Sequence, residues 1–206
     1  MKVTLLGDSI RRIGYGKRVP ELLGDGFEVW QPDDNCRFAR HTLRMLFDYK
    51  DKIYGSDIIH WNNGLWDVCA LFGDGEPFTP IDEYVRTMLC VAKRLLDITP
   101  NVIFATTTPV RPDNRYNDNE VIKAYNAAII PRLKELGIVI NDLHATVAED
   151  IPGNIRDDDK IHLTDRGIEL CAVQVVGAIR ELASSCFASV PAASKSEQNG
   201  DMGAPV

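Results

Sequence analysis

The sequence predicts an α/β fold, a three-layer α/β/α sandwich on a five-stranded parallel sheet, and three observations lead there. Five apolar runs of strand length recur along the chain, at residues 3–6, 27–30, 58–61, 102–106 and 138–140. Longer segments with helical spacing fall between or after them. Strands alternating with helices of this length build a parallel sheet covered on both faces, because each crossover helix must bury its apolar stripe against that sheet. Ligands of such sheets sit beyond the carboxyl ends of the strands.

The first run, "VTLL", is followed by the polar turn "GDSI" and by "IGYGKRVPELLGDG", a short helical stretch before the second run "FEVW". "HTLRMLFDYK" separates the second run from the third, "IIHW". After the third comes "IDEYVRTMLCVAKRLLDI", whose Val85, Met88, Leu89, Ala92, Leu95 and Leu96 form one apolar stripe of helical period. "NEVIKAYNAAIIPRLKELG" repeats the pattern before the fifth strand, with Gly137 suited to end the helix. "TDRGIELCAVQVVGAIRELASS" closes the fold, with Thr164 or Asp165 as N-cap. Residues 1–186 are expected to form one domain, since 206 residues with 45% hydrophobic content suffice for a single sizeable core. From residue 187 the sequence "FASVPAASKSEQNGDMGAPV" loses periodicity and gains Ser, Pro, Gly and polar residues, the composition of a disordered tail.

Composition narrows the function. The net charge of −7 has no basic run to neutralise phosphates, so nucleic acid is not an expected partner. No stretch reaches the roughly 18–20 apolar residues of a membrane span, and the start of the chain lacks the apolar region of a secretory signal. The expectation is a cytoplasmic protein with no membrane partner; assembly is left open, a homo-oligomer included. Cys36, Cys69, Cys90, Cys171 and Cys186 are odd in number and contain no C-x-x-C pair, so they read as reduced thiols, mostly buried. Neither a metal nor a cofactor is expected: His and acidic residues do not cluster at ligand spacing, and "GDGFEVW" and "FGDGEP" lack the spacing of a phosphate loop.

Chemistry centres on Ser9. A hydroxyl is a weak nucleophile unless a base takes its proton, so a functional Ser9 needs a histidine and a carboxylate to orient it. Of the four histidines, His41 sits among helix-forming residues and His60 within an apolar strand, whereas His144 follows "INDL" in a loop at the same edge without a comparable partner. His162 lies in "DDDKIHLTDRG", three residues after Asp159, where a short D-x-x-H loop lets the carboxylate reach Nδ1 and leaves Nε2 for a hydroxyl. The alternatives are plain: Ser9 as a helix cap, Asp159 as one of a solvated acidic run 157–159, or Asp158 as the orienting carboxylate after a slip of one residue.

"GDSI" near the start and "DKIH" near the end resemble the SGNH (GDSL-like) hydrolases, a family of flavodoxin-like α/β/α folds, over roughly residues 1–183. The resemblance implies Ser9 as nucleophile, His162 as general base and acid, and Asp159 as the orienting carboxylate, with Asp8 shaping the turn. It also implies an oxyanion hole made from the Ser9 backbone N–H, a second-block Gly N–H and a third-block Asn amide. The second block corresponds to "DDNCRFARHTL", which has no Gly, so that Cys36 or Arg37 takes its place and donates through the backbone. The third block corresponds to "HWNNGLWD", where Asn62 and Asn63 are both candidates and Asn63 is slightly preferred. A turn closed by Gly64 is the alternative for this pair.

Arg11, Arg12 and Arg37 read as surface charge near the site, Trp30 and Trp61 as core or rim aromatics, and Trp66 as a residue that could flank a pocket. "TTTPVRPDNRYND" is either a substrate loop or a long polar connection. The expected activity is a cofactor-independent serine esterase acting on a small-molecule acyl ester, an acetyl ester of a sugar or other polar alcohol. The family also implies lysophospholipase or thioesterase activity as an alternative, and the missing second-block Gly raises a third reading, a non-catalytic binding module.

Overall fold

The computed structural model describes residues 1–188. Its centre is a sheet of five parallel strands, β1 (Lys2–Leu6), β2 (Glu28–Trp30), β3 (Ile58–Asn62), β4 (Val102–Ala105) and β5 (Val139–Asn141), in the order β2-β1-β3-β4-β5. Each expected apolar run became one of these strands, shifted by a residue at an end. Apolar partners meet along the register: Val3 faces Ile58 and Leu6 faces Trp61 across β1 and β3, and Trp61 faces Phe104 across β3 and β4. β1, β3 and β4 are buried almost throughout, as a parallel sheet covered on both faces requires.

Among the described residues eight α-helices surround the sheet: α1 (Val19–Leu23), α2 (Ala39–Asp48), α3 (Lys50–Ile53), α4 (Ile81–Leu96), α5 (Asn119–Glu135), α6 (Leu143–Ala148), α7 (Ile151–Asn154) and α8 (Asp165–Ala188). The long ones follow their apolar stripes. On α4, Met88, Ala92 and Leu95 are fully buried. α5 starts on the Asp118 carboxylate, which accepts the Glu120 and Val121 N–H groups. It ends as expected at Gly137: with φ +79 this residue adopts the left-handed turn, and the Gly137 and Ile138 N–H groups return to the Lys134 and Leu133 carbonyls. Thr164 caps α8 by accepting the Gly167 N–H at 3.1 Å, so Thr164 and not Asp165 is the N-cap.

Two short helices, α6 and α7, were not expected. His144, read as a loop residue, lies in the first turn of α6, because the Asp142 side chain accepts the Ala145 N–H and starts a helix there. α8 continues through residue 188, two residues past the expected domain end, and the rest of the expected tail lies outside the described residues. Among the described residues no helix is long and apolar enough to cross a membrane.

Candidate active site

β1 lies between β2 and β3, and its carboxyl end runs directly into "GDSI". Gly7 is required by close approach: a Cβ here would lie 1.9 Å from Asn62 Oδ1. The turn is shaped by Asp8, whose Oδ1 accepts the Ile10 N–H and the Asn62 Nδ2 donor, each at 2.9 Å. Burial pushes the Asp8 carboxyl up, against the opposing pull of Asn62, the Ile10 N–H and the Arg11 guanidinium. Ser9 therefore does not do the capping. It stands before a π turn at Ile10–Gly14, makes no side-chain cap bond, and faces a cavity.

Arg11 is a correction. Read as surface charge, it is 1% exposed, and its guanidinium donates to the carbonyls of Pro32 at 2.8 Å, Asp34 at 2.7 Å and Gly7 at 3.2 Å. It joins the turn after β1 to the loop after β2. A rigid guanidinium with donors on several edges suits such a cluster of backbone acceptors.

The opposite wall of the cavity comes from residues 155–165. Ile155 and Leu163 form an isolated antiparallel bridge, and the Arg156 N–H donates to the His162 carbonyl at 2.8 Å, closing a tight loop. Within it the three aspartates, read together as a possible solvated run, have different surroundings, although Arg156 Nε lies 3.8 Å from Asp159 Oδ2 as well as beside Asp158. Asp157 pairs with Lys160 and Arg111, and Asp158 pairs with Arg156. Asp159 turns inward: Oδ2 lies 2.9 Å from His162 Nδ1, while Oδ1 accepts the backbone N–H groups of His162 at 2.9 Å and Ile161 at 3.1 Å. Partial burial pushes this carboxyl up, but those bonds outweigh it and hold Asp159 at about 2. One carboxylate thus sets both the loop and the ring, and leaves His162 Nε2 for the cavity. An ionised carboxylate at Nδ1 favours the tautomer with the proton there.

Ser9 and His162 line the same cavity of about 390 Å³, with Ile10, Ile13, Leu163 and Ile168 as its apolar wall and Arg156 and Asp165 among its polar residues. A hydroxyl, an imidazole oriented by a carboxylate and an apolar wall together can support acyl transfer.

The expected oxyanion donors are placed as follows. Asn62 gives Nδ2 to Asp8 and accepts the Tyr15 hydroxyl on Oδ1 at 2.8 Å. Asn63 accepts Thr42 Oγ1 at 2.9 Å and Trp61 Nε1 at 2.8 Å, and gives Nδ2 to the Arg37 carbonyl at 2.8 Å. Arg37 has φ +50, in the left-handed region that favours glycine. The backbone N–H groups of the two candidates have partners of their own. The Cys36 N–H donates to the Gly7 carbonyl at 3.0 Å, tying the two loops, and the Arg37 N–H donates to Asn35 Oδ1 at 2.7 Å in a local side-chain turn.

The other candidates have other places. His41 lies on α2 and His60 is fully buried in β3, where desolvation lowers its pKa to about 3; Trp61 is buried and Trp66 is partly exposed. Cys36, Cys69 and Cys171 are buried, whereas Cys90 is exposed and Cys186 half-buried. "TTTPVRPDNRYND" is tied to its neighbours, with Val110 exchanging a pair of bonds with Asn119 of α5 and Asn117 Nδ2 reaching the Leu65 carbonyl. One buried carboxylate went unremarked in the sequence: Asp67, in "NNGLWD", which burial raises to about 7 despite bonds from Thr79 and the Ala39 N–H.

No family model matches the chain. A GDSL esterase/lipase, WDL1, from Oryza sativa subsp. japonica is 22% identical over 184 residues, covering 80% of this chain and 67% of the relative. Among solved structures, the acetyl xylan esterase AlAXEase superposes with TM-score 0.71 at 21% identity, covering 87% of this chain and 100% of the other. The acetylxylan esterase Axe2 from Geobacillus stearothermophilus gives 0.72 at 17% identity, covering 86% and 93%. A lipolytic protein of the G-D-S-L family from Veillonella parvula gives 0.69 at 17%, covering 86% and 97%.

Proposed function

We propose that this chain, an SGNH-type (GDSL-like) hydrolase in fold and in sequence resemblance, is a serine esterase that removes short acyl groups, acetyl above all, from a sugar or another polar alcohol. The observation that carries this reading is the Asp159–His162 pair on the cavity that Ser9 also lines. Ser9 Oγ attacks the ester carbonyl while His162 Nε2 takes its proton, forming a tetrahedral oxyanion. Asp159 keeps the Nδ1 proton in place and stabilises the imidazolium. Collapse expels the alcohol, which takes the proton back from Nε2, and leaves an acyl-Ser9. Water, activated by the same Nε2, hydrolyses it and frees Ser9 and a carboxylic acid.

The oxyanion is received by the Ser9 N–H and the second amide hydrogen of Asn63. Asn63 is favoured over Asn62 because its Nδ2 links the end of β3 to the loop after β2, and β1, which carries Ser9, lies between those two strands. Acetyl esters of sugars are favoured because two of the similar structures are acetyl xylan esterases, and a cavity of this size has room for a short acyl group.

Hydrolysis of p-nitrophenyl acetate, butyrate and octanoate by the purified protein and by Ser9→Ala tests both parts, with fluorophosphonate labelling alongside. Ser9-dependent turnover and labelling, falling as the acyl chain lengthens, is the expected result. Equal activity in both proteins, with no labelling, overturns the esterase reading in favour of a binding module. A rate that climbs from acetyl to octanoyl overturns the short-acyl reading.

A further inference from the structure

We propose that Arg111 is a positioning residue for this reaction: its guanidinium, reaching over from the β4–α5 connection, clamps the loop that presents Asp159 and His162. The inference rests on the esterase reading above.

The loop at 155–163 is closed at its base by the Ile155–Leu163 bridge, yet nothing in that bridge fixes where its tip lies relative to Ser9. Arg111 supplies most of that restraint, beside Asn114 Nδ2 at 3.4 Å from the Lys160 carbonyl and Asp113 at 3.1 Å from Lys160 Nζ. Nε donates to the carbonyls of Ile155 at 3.0 Å and Arg156 at 3.1 Å, Nη2 donates to Pro152 at 2.8 Å, and Nη1 lies 3.2 Å from Asp157. The Arg111 backbone N–H donates to the Lys160 carbonyl at 3.0 Å. Lys160 sits at φ +64, the kink that turns the chain from the acidic run toward His162. The guanidinium side chain is only 19% exposed, so this is not a loose surface pair. Its donors converge from one rigid plane on carbonyls just before and at the start of the loop and on the Asp157 carboxylate, a geometry that a lysine ammonium does not reproduce.

The clamp matters because the proton transfer from Ser9 to Nε2 depends on placement to a fraction of an ångström, and a displacement of about 1 Å can cost about 100-fold in rate. Asp159 fixes the imidazole relative to its own loop, and Arg111 fixes that loop relative to the body of the protein. This assigns the first half of "TTTPVRPDNRYND" a role that is neither substrate contact nor plain connection.

The test compares wild type, Arg111→Ala and Arg111→Lys in steady-state hydrolysis of p-nitrophenyl acetate, and by amide hydrogen exchange. Expected for both variants is a fall in kcat of about 30- to 100-fold with KM within about threefold. Added ethylguanidinium at millimolar concentration should restore part of the kcat of Arg111→Ala. Exchange at the Ile161 and His162 amides, which Asp159 Oδ1 holds, should quicken at least about tenfold while α5 and β4 stay protected. A raised KM with unchanged kcat would make Arg111 a substrate contact and overturn the proposal. Unchanged exchange at Ile161 and His162 in both variants overturns it as well, even if the wild type proves not to be an esterase; loss of Ser9-dependent turnover with the exchange change intact indicts the esterase reading instead.

Discussion

Asp67 holds the first turn of α2 from beneath: its Oδ1 and Oδ2 lie 3.2 and 3.0 Å from the Ala39 N–H. A carboxylate at a helix N-terminus is favourable, yet burial dominates and raises this group to about 7. The native state therefore keeps a proton that the unfolded chain has already lost above pH 4. Its contribution is complete below about pH 4 and lost as pH rises towards 7. Asp67→Asn should remove that loss, making the variant more stable than wild type at pH 8 by about 4 kcal/mol while the two agree near pH 4. Urea unfolding at both values checks this; parallel pH profiles for the two proteins would show that Asp67 is ionised in the native state.

His60 has the opposite sign. Burial lowers it from 6.5 to about 3, so the folded protein excludes a proton that the unfolded chain takes up. Its contribution is complete above about pH 6.5 and lost as pH falls toward 3. Between pH 4 and 6.5 these two groups offset each other in the wild type. Asp67→Asn should then show stability rising with pH by up to about 1.4 kcal/mol per unit in this window, and His60→Gln should show it falling. The slope is the readout, because His60→Gln also disturbs the Asn141 bond and the contact with the Tyr15 ring.

Gly7→Ala should destabilise the protein by about 1–3 kcal/mol without change of fold. The added Cβ would meet Asn62 Oδ1 at 1.9 Å and Arg11 Cβ at 2.9 Å, both on side chains held by buried bonds. Thermal unfolding measures the cost. A variant as stable as wild type would mean that Asn62 withdraws freely from the turn.

The strands were legible because a parallel sheet buries both faces, which turns each strand into a continuous apolar word such as "VTLL" or "IIHW". The stripe on α4 and the Gly137 stop were legible for similarly local reasons. Arg11 was not, since its acceptors are backbone carbonyls of residues 32 and 34, invisible until β2 is laid beside β1. Nor was the pinning of residues 155–160 by Arg111, which joins segments more than forty residues apart. α6 and α7 are too short for a period, although Asp142 and Asp150 cap them visibly in retrospect. Within the site, the spacing of Asp159 and His162 was readable because they share one loop. The environment of Asn62 and Asn63 was not, because it depends on Tyr15, Thr42 and Arg37 arriving from elsewhere.

The three aspartates at 157–159 offer a separation that sequence resemblance does not. Asp158 is 63% exposed and paired with Arg156, whereas Asp159 binds the imidazole Nδ1 and two backbone N–H groups. In Asp159→Asn the single amide oxygen must still receive those backbone donors, which turns the NH₂ toward Nδ1. That donor favours the tautomer with the proton on Nε2, where a base is needed, and kcat on p-nitrophenyl acetate should fall about 10³- to 10⁴-fold. Asp158→Asn gives up an exposed ion pair while its Oδ1 can still accept the Asp159 N–H, and should keep kcat within about threefold. Because Asp159 is held at about 2, its ionisation is complete throughout the range in which such assays are run. Equal losses in the two variants would move the orienting role away from Asp159, and with it the esterase mechanism built on His162.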